Sequence, residues 1–530
     1  MFPAMSRAVG IDLGTCNSVV AVMEDGKPRV LADAEGRVLH PSVVAFGYGN
    51  TVIVGNRARR QAVHAPEAVV ASAKRLIGRR YNTPEVQRMK AAVAFGVLEG
   101  EDGSVKVRAQ GRTLAPQEVS AHVLVYLKRM AEAALGEPVT QAVITVPAYF
   151  NDAQRQATRE AGALAGLECL RVLNEPTAAA LAYGFQQDKQ QHVVVYDLGG
   201  GTFDVSILRI DRDFFEVIST AGDTFLGGDD FDDIAANQLL AQMEAKFGTS
   251  LGQSRTVRAR LREAAELAKI GLSQQEEVTV DLPAIWKAPD GTEHGFSARI
   301  DRYTFASWVM PLVQRTFAVC DEALREAKMH ARQVDHVLLV GGMTRFPLVR
   351  EGVLQYFGKA PYTELNPDEV VAIGAAIQAH TLTTVDDTGT SGGAILLDVT
   401  PQSLGIRTMG GFCEVLLPRN TPVPADASKV FHTASDNQTE VRVAVYQGEG
   451  RMADQNTLLG ELVLDGLPPM PRGQVRVRIQ FAMDADGILS VSALDDKTGR
   501  ETKVRIEARA AGASSGEELR NSRFSDLPTI

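Results

Sequence analysis

The spacing of hydrophobic residues changes near residue 394, and this divides the chain into two parts. Before that point, short β-branched runs alternate with segments whose apolar residues recur at helical spacing. The run QAVITVPAYF (141–150) predicts a strand, and the segment NDAQRQATREAGALAGL after it predicts a helix capped by Asn151 or Asp152. This alternation predicts an α/β domain over residues 6–383.

After residue 394, the spacing of apolar residues predicts strands. TLTTVDDTGTSGG (381–393) is polar and glycine-rich, which is typical of a flexible connection. Segments such as EVRVAVYQ (440–447) and QVRVRIQF (474–481) then alternate apolar and polar residues between turns, which predicts a β-sandwich. The predicted division is an α/β domain at 6–383, an interdomain linker at 384–398, an all-β sandwich domain at 399–508 and a flexible tail at 509–530.

One phrase occurs twice in the α/β part. IDLG (11–14) and YDLG (196–199) each end an apolar run at an aspartate and turn through glycine into a second apolar run, and VGG (340–342) is a third such turn. Glycines let backbone N–H groups approach a phosphate, and a carboxylate at the strand end can hold Mg²⁺ through its water shell. One such turn is usually only a turn, but two matching copies favour a site for nucleotide phosphates.

Motifs and composition exclude several other classes. The sequence contains neither GxxxxGK[ST] nor a GxGxxG after a strand, which argues against a P-loop enzyme and a Rossmann fold. A net charge of −10 and a pI near 5.5 argue against nucleic acid as a partner. Four cysteines without a CxxC pair argue against a zinc site or a disulfide framework. Without an apolar stretch of membrane-spanning length, we expect a cytoplasmic protein with no membrane partner.

Two charged residues outside the turns are candidates for phosphate cleavage. Lys74, in AVVASAKRLIGRRY, could stabilise charge on a γ-phosphate, or it could be a surface lysine in a basic run. Glu175, in NEPTAAALAYG, could orient a water or magnesium, or it could simply favour the dipole at a helix start. The sequence pattern leaves both alternatives open.

Taken together, the motifs resemble those of a known family. IDLGTCNS, KRLIGRRY, NEPTAAALAYG, YDLGGGTFDVSI, GDTFLGGDDFD, VLLVGGMTRFP and LLDVTPQSLGI are similar, in the same order, to motifs of the DnaK-type chaperones, the heat shock protein 70 family. The resemblance runs from about residue 7 to about residue 508. It implies an actin-like α/β ATPase domain with ATP between two lobes, followed by an all-β sandwich that binds peptides.

The resemblance also implies roles for individual residues. The hydrolytic site would consist of Lys74, Glu175, Asp197, Thr202 and Asp204, with water as the nucleophile. ATP or ADP would be bound by Asp12, Gly14, Thr15, Cys16, Gly200, Gly201, Glu266, Lys269, Ser273, Gly342, Arg345 and Asp368. Mg²⁺ would be held through water by Asp12 and Asp197, and K⁺ is a further expected cation.

Two more sets of residues follow from the resemblance. Those of the relay and docking linker are Pro147, Arg155, Arg159, Leu396, Leu397 and Asp398. Those lining a peptide channel are Ile406, Met409, Phe431, Ala434, Val441, Val443 and Met483. Without the resemblance, Ile395–Leu397 would read as the first core strand of the β domain, and all seven channel residues would read as core.

The sequence departs from the family pattern at three places. Cys16 stands where a second threonine is usual; since phosphate contact there would use backbone N–H groups, we expect hydrolysis to survive and no redox role. Gln402 stands where leucine is common, which predicts weaker docking of the linker. The chain stops soon after Arg509, where family members continue as a helical lid, so we expect a lidless chaperone that releases clients quickly.

The expected function is therefore an ATP-dependent chaperone in protein folding and the stress response. It would bind extended apolar segments of unfolded proteins and hydrolyse ATP slowly, with stimulation by client and by a J-domain co-chaperone docking near Arg171, Asn174 and Thr177. A nucleotide-exchange factor is the other expected partner. The alternatives are a small-molecule kinase on the same fold, and a scaffolding protein that binds ATP but scarcely turns it over.

Overall fold

The structure, a computed structural model, describes residues 7–49, 51–184, 190–384, 394–484, 487–505 and 523–524. Its first unit, residues 7–174, contains strands β1 (Arg7–Asp12), β2 (Asn17–Glu24), β3 (Lys27–Val30), β4 (His40–Pro41), β5 (Val44–Phe46), β6 (Thr51–Val54), β7 (Val69–Val70), β8 (Gly96–Glu99), β9 (Val105–Ala109), β10 (Arg112–Leu114), β11 (Val139–Val146) and β12 (Glu168–Asn174). Its helices are α1 (Asn56–Gln61), α2 (Pro84–Ala92), α3 (Pro116–Leu135) and α4 (Asp152–Leu164).

The main sheet of the first unit is mixed and runs in the order β12-β11-β1-β2-β3. Strands β1, β2 and β3 form an antiparallel meander, and β11 and β12 continue the sheet in parallel beyond β1. The predicted strand and helix at 141–164 are confirmed: α4 follows β11, and the Asn151 side chain accepts a hydrogen bond from the Gln154 amide at 3.0 Å. This cap satisfies one of the free amides at the helix start.

The second unit, residues 191–368, repeats this arrangement. Its elements are β13 (Gln191–Leu198), β14 (Phe203–Asp211), β15 (Phe214–Asp223), α6 (Gly228–Phe247), α7 (Arg255–Leu272), β16 (Glu277–Lys287), β17 (Glu293–Asp301), α8 (Arg302–Glu326), β18 (His336–Val340) and α9 (Pro347–Phe357), with α5 (Glu175–Gly184) before them and α10 (Val370–Thr383) after them. Strands β13, β14 and β15 form an antiparallel meander, and β18 joins β13 in parallel. The repeated sequence phrase thus corresponds to a repeated sheet topology.

Helices α5 and α10 pack between the two main sheets. Their small residues share one buried apolar cluster with Val143 of β11 and Val193 of β13. The helices cross at Gly374 of α10, where an added Cβ would lie 1.7 Å from the carbonyl oxygen of Ala178. Only glycine lets the two backbones come this close.

The third part, residues 395–505, consists of strands. They are β19 (Ile395–Val399), β20 (Leu404–Arg407), β21 (Cys413–Leu417), β22 (Pro422–Val423), β23 (Ala425–His432), β24 (Glu440–Gln447), β25 (Thr457–Asp465), β26 (Arg476–Met483), β27 (Leu489–Asp495) and β28 (Glu501–Arg505). Two four-stranded antiparallel sheets, β21-β20-β24-β25 and β23-β26-β27-β28, enclose one apolar core around Val445, Leu464 and Phe481. The alternation of apolar residues follows from this packing, because one face of each sheet is buried.

The connecting strand β19 belongs to both neighbours. It pairs in parallel with β15 of the second unit and in antiparallel with β22 of the strand-only part. Of the predicted linker at 384–398, residues 385–393 lie outside the described residues, as do residues 506–522 and 525–530 of the chain's end. Residues Arg523–Phe524 form strand β29, which pairs in parallel with β6. Within the described part of the chain, every helix is too short or too polar to traverse a lipid bilayer.

Candidate nucleotide site

A cavity of about 320 Å³ lies where the turns of the two main sheets face each other. The predicted hydrolytic and nucleotide-binding residues that line it are Asp12, Gly14, Thr15, Cys16, Lys74, Glu175, Asp197, Gly200, Thr202, Glu266, Lys269, Ser273, Gly342, Arg345 and Asp368. Gly201 and Asp204 are not among its lining residues. Residues far apart in the sequence thus converge on one cavity, which we call the nucleotide cavity.

The two glycine turns touch each other at the floor of this cavity. A Cβ added to Gly200 would lie 2.1 Å from Cys16 Sγ, and one added to Gly201 would lie 2.5 Å from Thr15 Cγ2. Side chains at these positions would therefore force the turns apart. The third turn has the same requirement, because Gly341 has φ of +82° and its added Cβ would lie 2.4 Å from Leu198 O.

Lys74 and Glu175 form a buried ion pair at one end of the cavity. Lys74 Nζ lies 2.6 Å from Glu175 Oε1, and the two side chains are only 5% and 9% exposed. Lys74 lies in a 3₁₀ turn after β7, and Glu175 is the first residue of α5. The surface-lysine interpretation of Lys74 is therefore wrong. Glu175 does begin a helix, but its carboxylate also faces the cavity.

Three aspartates lie beside this pair. Asp197 and Asp204 stand opposite each other on β13 and β14, and Asp12 accepts a 3.3 Å hydrogen bond from the Thr145 hydroxyl. Burial, and then the Glu175 charge, raise the pKa of Asp12 to about 7 and that of Asp204 to about 8, and the same two causes raise the pKa of Asp197 well above its usual value. Lys74 opposes these shifts in all three but is outweighed.

This excess of buried carboxylate fits a divalent cation, which would supply the missing positive charge. Among the described residues, no three His, Cys, Asp or Glu side chains are placed to hold a metal directly. Mg²⁺ keeps several of its waters and takes few protein ligands, so a small number of carboxylates is enough to hold it. Asp12 is the last residue of β1 and Asp197 the last but one of β13, so both precede a glycine turn, and both line the cavity.

The opposite side of the cavity is held by ion pairs. Lys269 of α7 donates to Asp232 at 2.8 Å and to the Gly228 carbonyl at 3.1 Å. Arg345 donates to Asp368 at 2.6 Å. Glu266 pairs with Arg59, which belongs to the first unit. Glu266, Lys269, Arg345 and Asp368 belong to the set predicted to bind ATP or ADP, and each of them is already in an ion pair.

The sequence motifs did not indicate several of the residues that line the nucleotide cavity. Asp232, Ile270, Met343 and Phe346 also line the nucleotide cavity. Three of them had a signal, because Ile270 adjoins Lys269, and Met343 and Phe346 lie in the same GGMTRFP turn as Gly342. Apolar residues at these positions can cover a flat ring, whereas the motifs indicated phosphate chemistry only through their charged residues and glycines.

One predicted relay residue, Arg155, is connected to the linker residue Asp398 through the side chain of Asn174. Asp398 of β19 accepts from Asn174 at 2.6 Å and from the Thr177 hydroxyl at 3.3 Å. Arg155 of α4 donates to the oxygen of the same Asn174 side-chain amide, at 2.6 Å. Pro147 lies buried just after β11, and Arg159 lies half-exposed one turn beyond Arg155.

The remaining linker residues pack on the second unit. Leu396 and Leu397 pair with Phe215 and Glu216 of β15, and Leu396 packs against the cluster that includes Phe215. The interpretation of Ile395 as a core residue of the β domain is wrong, because it is 59% exposed.

Gln402 hydrogen-bonds Tyr149 of the first unit, so the prediction that it weakens docking gains no support.

The seven predicted channel residues fall into three groups. Ile406, Val443 and Met483 are buried in the sandwich core, and Phe431 and Val441 are half-buried against that core. Met409 is 77% exposed in a short 3₁₀ turn, and Ala434 is also exposed. The structure therefore does not bring the seven together as one lining, and their role in peptide binding stays a prediction.

Comparison with known protein families decides the relationship. The family model described as Hsp70 protein matches residues 8–522. The chain belongs to the Hsp70 family. This Hsp70 is accordingly an ATP-dependent chaperone: it binds and hydrolyses ATP, uses ATP or ADP with Mg²⁺, and acts on unfolded polypeptides together with co-chaperones in protein folding. The match covers both α/β units and the strands of the third part.

Proposed function

We propose that this Hsp70 is a DnaK-type chaperone in which ATP hydrolysis controls client affinity through the linker strand β19. The α/β part would be an actin-like ATPase domain whose two units act as lobes, and the β-sandwich would bind extended apolar segments. Its predicted limits are 6–383 for the ATPase domain, 384–398 for the linker and 399–508 for the sandwich. We also propose a role in the stress response.

In the proposed mechanism, the side chains of the nucleotide cavity position the reacting groups. Lys74 would stabilise negative charge on the transferred phosphoryl group, and Glu175 would hold that lysine in place. Thr202 and Asp197 would orient the attacking water. Mg²⁺, held through water by Asp12 and Asp197, would neutralise phosphate charge, and K⁺ is a further proposed cation.

The single observation that carries the coupling is the contact between Asp398 and Asn174. It joins the linker strand to the first unit, and Arg155 on α4 fixes the far side of the same amide. Further contacts join the sandwich to the α/β part: the Asn420 side chain accepts from the Thr220 amide at 3.1 Å, and Arg419 pairs with Glu322. A change at one domain can therefore shift the state of the other, provided that docking depends on nucleotide.

The proposed co-chaperone site lies beside this contact. Arg171 and Asn174 are on β12, and Thr177 is on α5, so a J-domain protein bound there would touch residues that hold Asp398. Family membership favours this chaperone hypothesis over the small-molecule kinase. The ATP-binding scaffold is distinguished by measuring turnover.

The test is peptide-stimulated ATP hydrolysis by Asp398→Asn. Stimulation by an unfolded apolar peptide is expected to fall at least about fivefold relative to the unaltered chain, because the coupling contact is weakened. Asp465→Asn, the same change at an exposed residue of the sandwich, is the control. Equal stimulation in both variants would contradict coupling through Asp398.

A further inference from the structure

A second cavity lies behind the phosphate turns. Its volume is about 690 Å³, against about 320 Å³ for the nucleotide cavity. We call it the rear cavity; it lies between the 43–72 and 88–95 segments of the first unit and helices α6 and α7 of the second. The residues that line both cavities are Thr15, Cys16, Asp232 and Glu266. The two spaces are therefore separated by little more than one layer of side chains.

Three carboxylates of the second unit reach the first unit near this layer: Glu266 pairs with Arg59, Asp230 pairs with Arg75 at 2.5 Å, and Asp229 makes the contacts that follow. Asp229, in the first turn of α6, accepts from the Ser72 hydroxyl at 2.7 Å and from Cys16 Sγ at 3.4 Å, both of the first unit. On its own unit it lies 3.4 Å from Arg262. Arg75 Nε of the first unit is 3.8 Å away, which is an ion pair without a hydrogen bond.

A purely local role at the helix start does not account for these contacts. The neighbouring Asp230 accepts the Gly227 amide at 2.8 Å, so the cap of α6 is already supplied, and it also accepts from Arg75 of the first unit at 2.5 Å. Asp229 likewise reaches across the gap between the units, to Ser72 and Cys16. An aspartate in a first helical turn would also be stabilised by the helix dipole, which favours its charged form.

The surroundings keep Asp229 charged although it is buried. Burial raises its pKa, but Arg262, Arg75 and the Ser72 hydrogen bond together bring that pKa below the usual value. Its Cys16 partner is the reverse case, since burial and then the Asp229 charge raise the pKa of the thiol. Cys16 therefore donates a proton to Asp229 as a neutral thiol and is not a reactive thiolate.

We propose that Asp229 is a latch between the two units, and that its release opens the nucleotide cavity into the rear cavity, through which inorganic phosphate leaves while ADP stays bound. The proposal rests on the proposed ATPase function. ADP would fill the side of the nucleotide cavity at Lys269 and Arg345. The layer between the two cavities, by contrast, consists of the side chains of Thr15, Cys16, Asp232 and Glu266. Basic residues of the rear cavity, among them Arg258 and Arg262, would attract the phosphate ion.

The experiment measures dissociation of inorganic phosphate and of ADP separately. The full-length chain is loaded with Mg²⁺, a fluorescent ADP and inorganic phosphate, and is then mixed either with a phosphate sensor or with excess ATP. For Asp229→Asn, phosphate dissociation is expected to accelerate at least about tenfold, since losing one member of a buried charge pair acts mainly on dissociation rates. ADP dissociation is expected to change by less than about threefold.

Three further variants distinguish release of the Asp229 latch from a general loosening of the structure. Asp233→Asn is the matched control, because Asp233 pairs with the same Arg262 but within the second unit. Ala236→Phe would narrow the rear cavity and is expected to slow phosphate dissociation, whereas Ala241→Phe, at an exposed residue of the same helix, should not. Melting temperatures show that each variant is folded.

Three results would overturn the proposal. Phosphate dissociation from Asp229→Asn could match that of Asp233→Asn, phosphate and ADP could accelerate equally, or Ala236→Phe could leave phosphate dissociation unchanged. The proposed function is tested separately by hydrolysis of ATP in the unaltered chain. Absence of that hydrolysis would defeat the proposed function, while the phosphate measurement on the ADP complex would still decide the latch.

Discussion

Asp204 and Asp229 lie on opposite sides of the phosphate turns and are both buried, but their pKa values shift in opposite directions. On the cavity side, burial and the Glu175 charge raise the pKa of Asp204 to about 8, and Lys74 does not compensate. On the rear side, Asp229 has two arginines and a hydroxyl around it, and its pKa is lowered. For this pair, burial alone does not determine charge; the number of nearby cations and hydrogen-bond donors does.

The largest effect is expected from removing Lys74, the positively charged side chain on the cavity side. Lys74→Ala should lower single-turnover ATP hydrolysis about 10²–10³-fold, because a preorganised positive group would be missing where charge develops. Lys74→Arg keeps the charge and should lose less. Lys429→Ala, at an exposed ion pair of the sandwich, is the control. Turnover of Lys74→Ala within a few-fold of the control would show that the lysine is structural.

A pH effect follows from the raised pKa values when Mg²⁺ is removed. The folded chain then holds protons on Asp204, and to a lesser extent on the half-buried Asp12, that the unfolded chain has lost above its usual pKa of 3.8. Stability in chelator should therefore fall as pH rises from about 4 to about 8, by up to about 1.4 kcal/mol per pH unit for each such group. Saturating Mg²⁺ and ADP should reduce this slope.

Thermal unfolding in chelator at a series of pH values checks this prediction. The control is Asp204→Asn, which should have a shallower slope because its side chain does not titrate. A melting temperature that rose across the same range would contradict the account, since it would mean that the cavity carboxylates are already compensated.

The smallest effect is expected on the rear side. Ser72→Ala removes the 2.7 Å hydrogen bond to Asp229 but leaves both arginines, so phosphate dissociation should accelerate about threefold, less than in Asp229→Asn. Ser307→Ala, an exposed serine on α8, is the control. A larger effect than that of Asp229→Asn would show that Ser72 acts through something other than this carboxylate.

Local features of the fold were predictable from the sequence, while pairings across the chain were not. The cap at Asn151 follows from its neighbours, because the bond spans three residues. Lys74 could not be told from a surface lysine, because its partner Glu175 is 101 positions away. Ser72 and Asp229 are 157 positions apart, and although both lie in motifs quoted above, nothing in those motifs indicates that the two residues meet.

The β-sandwich shows a different limit. Alternating apolar residues mark the buried face of a sheet, but they do not distinguish a core residue from one that lines a channel. Val443 and Met483 fit the core interpretation, whereas Met409 does not. The exposed fraction of each side chain distinguishes a core residue from an exposed one. That fraction depends on where the fold places the turns between strands.

The crossing of α5 and α10 at Gly374 sets the separation of these two helices. Because an added Cβ there would lie 1.7 Å from the carbonyl oxygen of Ala178, any side chain larger than a hydrogen atom would push the helices apart. Both helices share one buried cluster with β11 of the first unit and β13 of the second, so a wider crossing would also change the spacing between the two main sheets. A single missing methyl group thus determines the distance between the two units.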